Sequence, residues 1–127
     1  MNNQAEAGVS RAADPACLFC RIVTGEIPAA RVHEDDMLIA IRDIAPRAPT
    51  HLLLISRRHI PSAAALTEAD GPLLGRLMAV AAELARTSGL ATTGYRLVTN
   101  VGPWGGQTVD HLHWHLMGGR QFDWPPG

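Results

Sequence analysis

The hydrophobic positions first fall into an ordered pattern at residue 17. Residues 18–23 read as one short helical turn, which Gly25 ends in a left-handed cap and Pro28 keeps from continuing. Residues 31–34 and 37–43 read as two strands around a turn at Asp35 and Asp36, the second apolar enough to be a buried hairpin arm. Pro46 and Pro49 then exclude both helix and central strand from residues 44–50, and 51–56 forms another short apolar strand.

A longer period follows. Thr67, with Asp70 three residues on as its acidic capping partner, opens the one long helix; Leu73, Leu74, Leu77, Met78, Ala81 and Leu84 supply its apolar stripe, and Gly89 closes it. Alternation returns at 94–100 and again at 110–117, across a glycine-rich loop spanning 101–109. Five strands joined mostly by short connections, with one long helix inserted, predict an α+β domain built on an antiparallel sheet. Residues 1–16 lack periodicity and read as a loose tail, leaving 17–127 as the domain.

Composition narrows the partners. The chain has 127 residues, so a single domain is expected, and its net charge of −1 leaves no electrostatic footprint for nucleic acid or an anionic membrane. No apolar run reaches the roughly 18 residues a spanning helix requires, and the first residues lack the features of a secretory signal. A cytoplasmic protein is expected. Its two cysteines, Cys17 and Cys20, are too close for an easy structural disulfide and fit reduced thiols or half a metal site.

Chemistry concentrates late in the chain. His111, His113 and His115 alternate with Leu112, Trp114 and Leu116, so a strand there would project all three imidazoles to one face, about 6.6 Å apart, and cover the other face with apolar groups. Just upstream, Gly105 and Gly106 permit a close backbone approach to a ligand. Gln107 and Thr108 add an amide and a hydroxyl, making a phosphate-sized concavity. Two mechanisms fit these residues. Three imidazoles can hold Zn²⁺ and activate water, although the i+4 ring reaches a common point poorly. Alternatively the central His113 is a nucleophile at phosphorus, flanked by hydrogen-bond donors.

The run His111-Leu112-His113-Trp114-His115-Leu116-Met117 resembles the signature of the histidine-triad (HIT) family. Residues 26–29, 34–36, 43–51, 105–108 and the closing 118–127 are similar to its Hint branch. The resemblance implies the HIT fold: a five-stranded antiparallel sheet with one long helix and a short N-terminal helix. It also implies hydrolysis of purine nucleoside 5′-phosphoramidates, with release of AMP through a covalent nucleotidyl-histidine. By position, His113 is then the nucleophile, His115 contacts phosphate oxygens, and His111 and His51 orient the neighbouring rings. Asp43 holds the ribose and Ile44 packs on the base, while Asn100, Gly106, Gln107 and Thr108 grip the phosphate side. Thr108 stands where the branch commonly has serine.

The same resemblance implies a homodimer, in which Trp124 reaches toward the partner's nucleotide site, and catalysis that requires no cofactor. It also allows a structural zinc on Cys17, Cys20, His59 and His111. Hydrolysis of dinucleoside polyphosphates, nucleotidyl transfer, and a mainly nucleotide-binding role stand as alternative readings.

Overall fold

The computed structural model describes residues 13–127, and of the expected tail residues 1–12 lie outside that range. Within the remainder of the tail, Asp14 already belongs to a turn: its carbonyl accepts the Cys17 N–H at 2.9 Å and its own N–H points at Cys20 Sγ at 3.3 Å. Helix α1 (Leu18–Val23) follows, with the Cys17 side chain at its N-cap.

Strands β1 (Arg31–Glu34), β2 (Leu38–Arg42), β3 (Thr50–Ser56), β4 (Tyr95–Val98) and β5 (His113–Gly118) form one antiparallel sheet in the order β1-β2-β3-β5-β4. The fold is therefore the expected α+β arrangement of five strands, one long helix and a short N-terminal helix. The turn at Asp35 is fixed by its own side chain, whose Oδ1 accepts the N–H groups of Met37 and Leu38 at 2.8 and 3.0 Å.

Side chains alternate across the sheet, so its two faces have different contents. One face carries Leu38, Ala40, Leu52, Leu54 and Leu116, packed on Leu73, Leu77, Val80, Ala81 and Ala85 of helix α2 (Gly71–Thr87). The other carries Ile39, Ile41, Leu53 and Ile55, packed on Phe19, Cys20 and Ile22 of α1. The short helix leaves part of its face open, whereas the long helix covers its own. Leu112, Trp114 and Leu116 join the α2 side as the alternation predicts.

Three expectations are corrected. Thr67 and Asp70 do form a capping box, but it closes a single 3₁₀ turn (Glu68–Asp70), and α2 starts only at Gly71 with Pro72 in its first turn. Proline has no N–H to place in the helical ladder, so the first turn is where it fits. Within α2 the buried stripe includes Val80 and Ala85, while Met78 is 38% exposed. The helix ends as read: Leu90 N–H bonds the Ala85 carbonyl and Gly89 N–H the Arg86 carbonyl, the paired bonds of a Schellman cap.

The third correction matters most for function. The last strand begins at His113, three residues later than expected, because Leu112 N–H is drawn to the Ile60 carbonyl at 2.6 Å before pairing with β3 begins. His111 thus stands outside the strand. Its ring stays on the α1 side but turns away from the other two, toward Cys17 and Cys20.

Candidate active site

Of the three alternating histidines, His113 and His115 remain together, on the α1 face and opposite Ile55 and Leu53 of β3. Their ring centroids are 5.1 Å apart, and His51, one step along β3, lies 5.1 Å from His115 on the other side. His113 and His115 line the floor where α1 leaves the sheet uncovered, and His51 is buried beside His115.

Each ring's protonation pattern follows from its partners. His113 Nδ1 lies 2.6 Å from the His111 carbonyl oxygen, which can only accept; Nδ1 therefore carries the proton and Nε2 keeps its lone pair. Phe19 meets the His113 ring edge-on at 5.0 Å and 90°, and Thr99 Oγ1 donates to the His113 carbonyl at 2.7 Å, so ring and backbone are both held.

His51 is set in the opposite sense. Its Nδ1 accepts the Arg47 backbone N–H at 3.0 Å, which places its proton on Nε2. That N–H faces His115 Nδ1 at 2.9 Å and Asp43 Oδ2 at 3.3 Å. His115 Nδ1 then accepts, leaving His115 Nε2–H as a donor. Burial, then the neighbouring His113 and His51 rings, push His115 down to about 4; burial also lowers His51, against the pull of Asp43. Both rings are neutral at pH 7. The pair presents one bare nitrogen, on His113, and one N–H donor, on His115.

A cleft of about 320 Å³ opens over these rings. Its walls include Phe19, Ile22, Ile27, Ile41, Asp43, Ile44 and Thr108, apolar along most of its length with a carboxylate and a hydroxyl near the ends. Ile44 is fully exposed at the mouth, and Asp43 has one oxygen committed to the Ala45 N–H at 2.8 Å. Asn100 and Gly106 adjoin each other in the loop beside the cleft. The loop is tight: a Cβ on Gly105 would lie 2.3 Å from the Val101 carbonyl oxygen, and Gly106 has a φ of +87°.

Gln107, expected to face a ligand, instead holds this loop closed. Its Oε1 accepts Gly102 N–H at 2.9 Å, and its Nε2 donates to the carbonyls of Pro61 and Val109 at 2.8 and 3.0 Å, which uses both amide hydrogens. Trp124 stands apart from the cleft lining and is 82% exposed.

His111 belongs to a second cluster. Its Nε2–H donates to the Ser56 carbonyl at 2.6 Å, so Nδ1 is bare and points at Cys17 Sγ (3.3 Å), Cys20 Sγ (3.5 Å) and His59 Nδ1 (3.3 Å). His59 Nδ1 is in turn 3.3 Å from Cys20 Sγ, and all four side chains are buried. A tetrahedral zinc with ligands at 2.0–2.3 Å requires ligand atoms about 3.3–3.7 Å apart. The separations match. The sulfurs also accept backbone N–H groups, from Cys20 onto Cys17 and from Asp14 onto Cys20. Without an ion, burial raises the Cys20 thiol and lowers His111 to about 4.

Asp43, His51 and His115 form a second group of metal-ligand type, with ligand atoms within 4.8 Å of one another. It is not a metal centre. A neutral His51 that accepts from Arg47 on Nδ1 has a hydrogen, not a lone pair, on the Nε2 turned toward the group.

Sequence reasoning missed four contributors: Phe19, the Ser56 and His111 carbonyls, and the Arg47 N–H. Three are backbone groups with no residue signature. Phe19 sits between the two cysteines, where it reads as an ordinary core aromatic.

Comparison with known proteins agrees with the architecture. The HIT domain family model matches residues 24–122. A crystal structure of a HIT family hydrolase from Legionella pneumophila is 52% identical and superposes with a TM-score of 0.86, covering 87% of this chain and 99% of that one. A HIT family hydrolase from Clostridium thermocellum is 41% identical with a TM-score of 0.84, over 87% of this chain and 96% of that one. An uncharacterized HIT-like protein of Synechococcus elongatus is 49% identical over 110 residues, 87% of this chain and 96% of its own.

Proposed function

Because the chain belongs to the HIT domain family, we propose that it is a hydrolase of purine nucleoside 5′-phosphoramidates, as in the Hint branch, with His113 as the covalent nucleophile. The observation that carries this reading is the His113 Nδ1–H bond to the His111 carbonyl, which leaves Nε2 as a bare nitrogen at the cleft floor.

In the first step Nε2 bonds to the α-phosphorus as the P–N bond breaks. The electron pair leaves on nitrogen, which takes a proton from water and departs as a free amine. The phosphorylated ring keeps its Nδ1–H and becomes cationic, stabilised by the carbonyl already aimed at that hydrogen. The His115 Nε2–H bonds a phosphoryl oxygen. In the second step water adds to phosphorus and loses a proton, the P–Nε2 bond breaks, and AMP leaves with His113 restored. The apolar cleft suits a purine, with Ile44 at its mouth, and the carboxylate of Asp43, whose Oδ2 also faces the His51 N–H, suits a ribose diol. Asn100, Gly106 and Thr108 border the phosphate, and Gln107 serves it by shaping the loop.

The Cys17, Cys20, His59 and His111 set fits a structural zinc. Such an ion supplies cross-linking between α1, the segment after β3 and the approach to β5, and no step of the hydrolysis needs it. Reduced cysteines as ligands suit a cytoplasmic protein. Among the described residues no helix is long and apolar enough to cross a membrane. A homodimer is part of the same reading, supported by the edge position of β4 and by exposed Met78, Tyr95 and Trp124.

Mass spectrometry of protein quenched during turnover of an adenosine 5′-phosphoramidate tests the reading. A mass increase of one adenylyl group on His113 is expected; an adduct elsewhere, or none during burst turnover, refutes it.

A further inference from the structure

The His51–His115 pair is set at His51 Nδ1 by the backbone N–H of Arg47, with Asp43 Oδ2 facing the opposite Nε2–H, and Arg47 lies in a proline-bounded loop between β2 and β3. What holds that loop comes from the far end of the chain. Arg120 Nε donates to the Arg47 carbonyl at 3.0 Å, and its guanidinium lies 4.2 Å over the Phe122 ring with Nη1 on the Gln121 carbonyl. One residue earlier, Gly119 is packed against the same loop: a Cβ there would stand 2.8 Å from Pro49 Cβ, and its φ of +91° is one that other residues rarely adopt. The turn after β5 therefore touches the loop at two points, Pro49 and Arg47, on either side of Ala48.

We propose that Arg120 is a positioning residue for the proposed hydrolysis, acting through Arg47 to fix which nitrogen of His51 carries the proton. The inference rests on the functional reading only for its catalytic consequence. The chain of contacts runs from Arg120 Nε–H to the Arg47 carbonyl, from the Arg47 N–H to His51 Nδ1, and from His51 Nε2–H to His115 Nδ1, ending at the His115 N–H that faces the cleft. Were Arg47 to swing away, His51 could place its proton on Nδ1, and His115 would lose the donor that holds its own tautomer.

A second arginine supplies the control. Arg96 also lies over Phe122, at 5.1 Å, and donates to the Asp123 carbonyl, so it fastens the same tail without touching Arg47. The experiment reads histidine ¹⁵N chemical shifts and kcat/KM for an adenosine phosphoramidate in the full-length wild type and in Arg120→Met, Arg120→Lys and Arg96→Gln. In Arg120→Met the His51 nitrogens are expected to move toward averaged tautomer values. With them kcat/KM falls about tenfold, an order below the roughly 100-fold that a 1 Å misplacement costs. Arg120→Lys, whose ammonium still reaches the carbonyl, restores most of both, and Arg96→Gln leaves the His51 shifts unchanged.

Unaltered His51 shifts in Arg120→Met, or the same change in Arg96→Gln, overturn the proposal. If the wild type does not turn over the phosphoramidate while Arg120→Met still shifts His51, it is the functional reading that fails, and the positioning role stands.

Discussion

Two histidine clusters lie on the same side of one sheet, yet chemically they are opposites. In the corner beside α1, His111 gives its Nε2–H to a carbonyl and turns a bare Nδ1 toward two sulfurs and the Nδ1 of His59. In the cleft, His51 receives a backbone N–H on Nδ1 and so offers a hydrogen where a metal ion would need a lone pair. The residue types overlap, and side-chain proximity alone would nominate both as metal centres. The backbone partner of each ring's second nitrogen decides between them. His111 belongs to both regions, its ring in one and its carbonyl holding the nucleophile of the other.

The largest test of this contrast removes the bare nitrogen of His113 on the cleft side. His113→Gly is expected to lower kcat by at least about 10⁴-fold, as loss of a covalent nucleophile does, while AMP still binds. Stopped-time product assays and calorimetric titration with AMP measure the two effects. Turnover within tenfold of wild type would mean that the bare nitrogen is not the nucleophile.

The other corner should behave in reverse. Cys20→Ser is expected to abolish stoichiometric zinc, measured by elemental analysis, and to lower Tm by about 10 °C, corresponding to roughly 3 kcal/mol for a chain of this size. Chelated wild type should lose stability in the same way and still hydrolyse phosphoramidate. Turnover that disappears on chelation and returns with zinc at unchanged fold stability would reassign the metal to chemistry.

How much of this contrast the sequence carries depends on which atoms create it. The period-2 alternation correctly assigns Leu112, Trp114 and Leu116 to the packed face, and the five strands and two helices are legible because their apolar periods are clean. The start of β5 is not legible: it is set by the Ile60 carbonyl drawing in Leu112 from more than fifty residues away, and without that bond His111 reads as a third member of one histidine face. Likewise Thr67 and Asp70 make the capping box their spacing advertises, but Pro72 sets where regular helical bonding begins. Gln107 looks like a ligand contact because amides often are; its three bonds within and beside its own loop come from tertiary closure.

Acid sharpens the comparison with the smallest effect. Burial holds the folded His115 at about 4, against 6.5 for an ordinary histidine, and His51 is lowered too. Between pH 6.5 and about 4, therefore, the unfolded chain binds a proton that the folded cleft refuses. Stability from this source is complete above pH 6.5, is lost as pH falls through that window, and falls no further below about pH 4. His111 is lowered to a similar value, so wild-type melting curves mix both corners. His115→Gln separates them, since its amide oxygen can still accept from His51 Nε2–H while the side chain cannot titrate. In Tm measured from pH 7 to pH 4, this variant should lose less than wild type, and Cys20→Ser should keep the part of the slope that belongs to the cleft. A His115→Gln profile parallel to that of wild type would place the acid sensitivity in His51 and the metal-type corner and leave His115 without the burial-driven preference for neutrality on which its donor role depends.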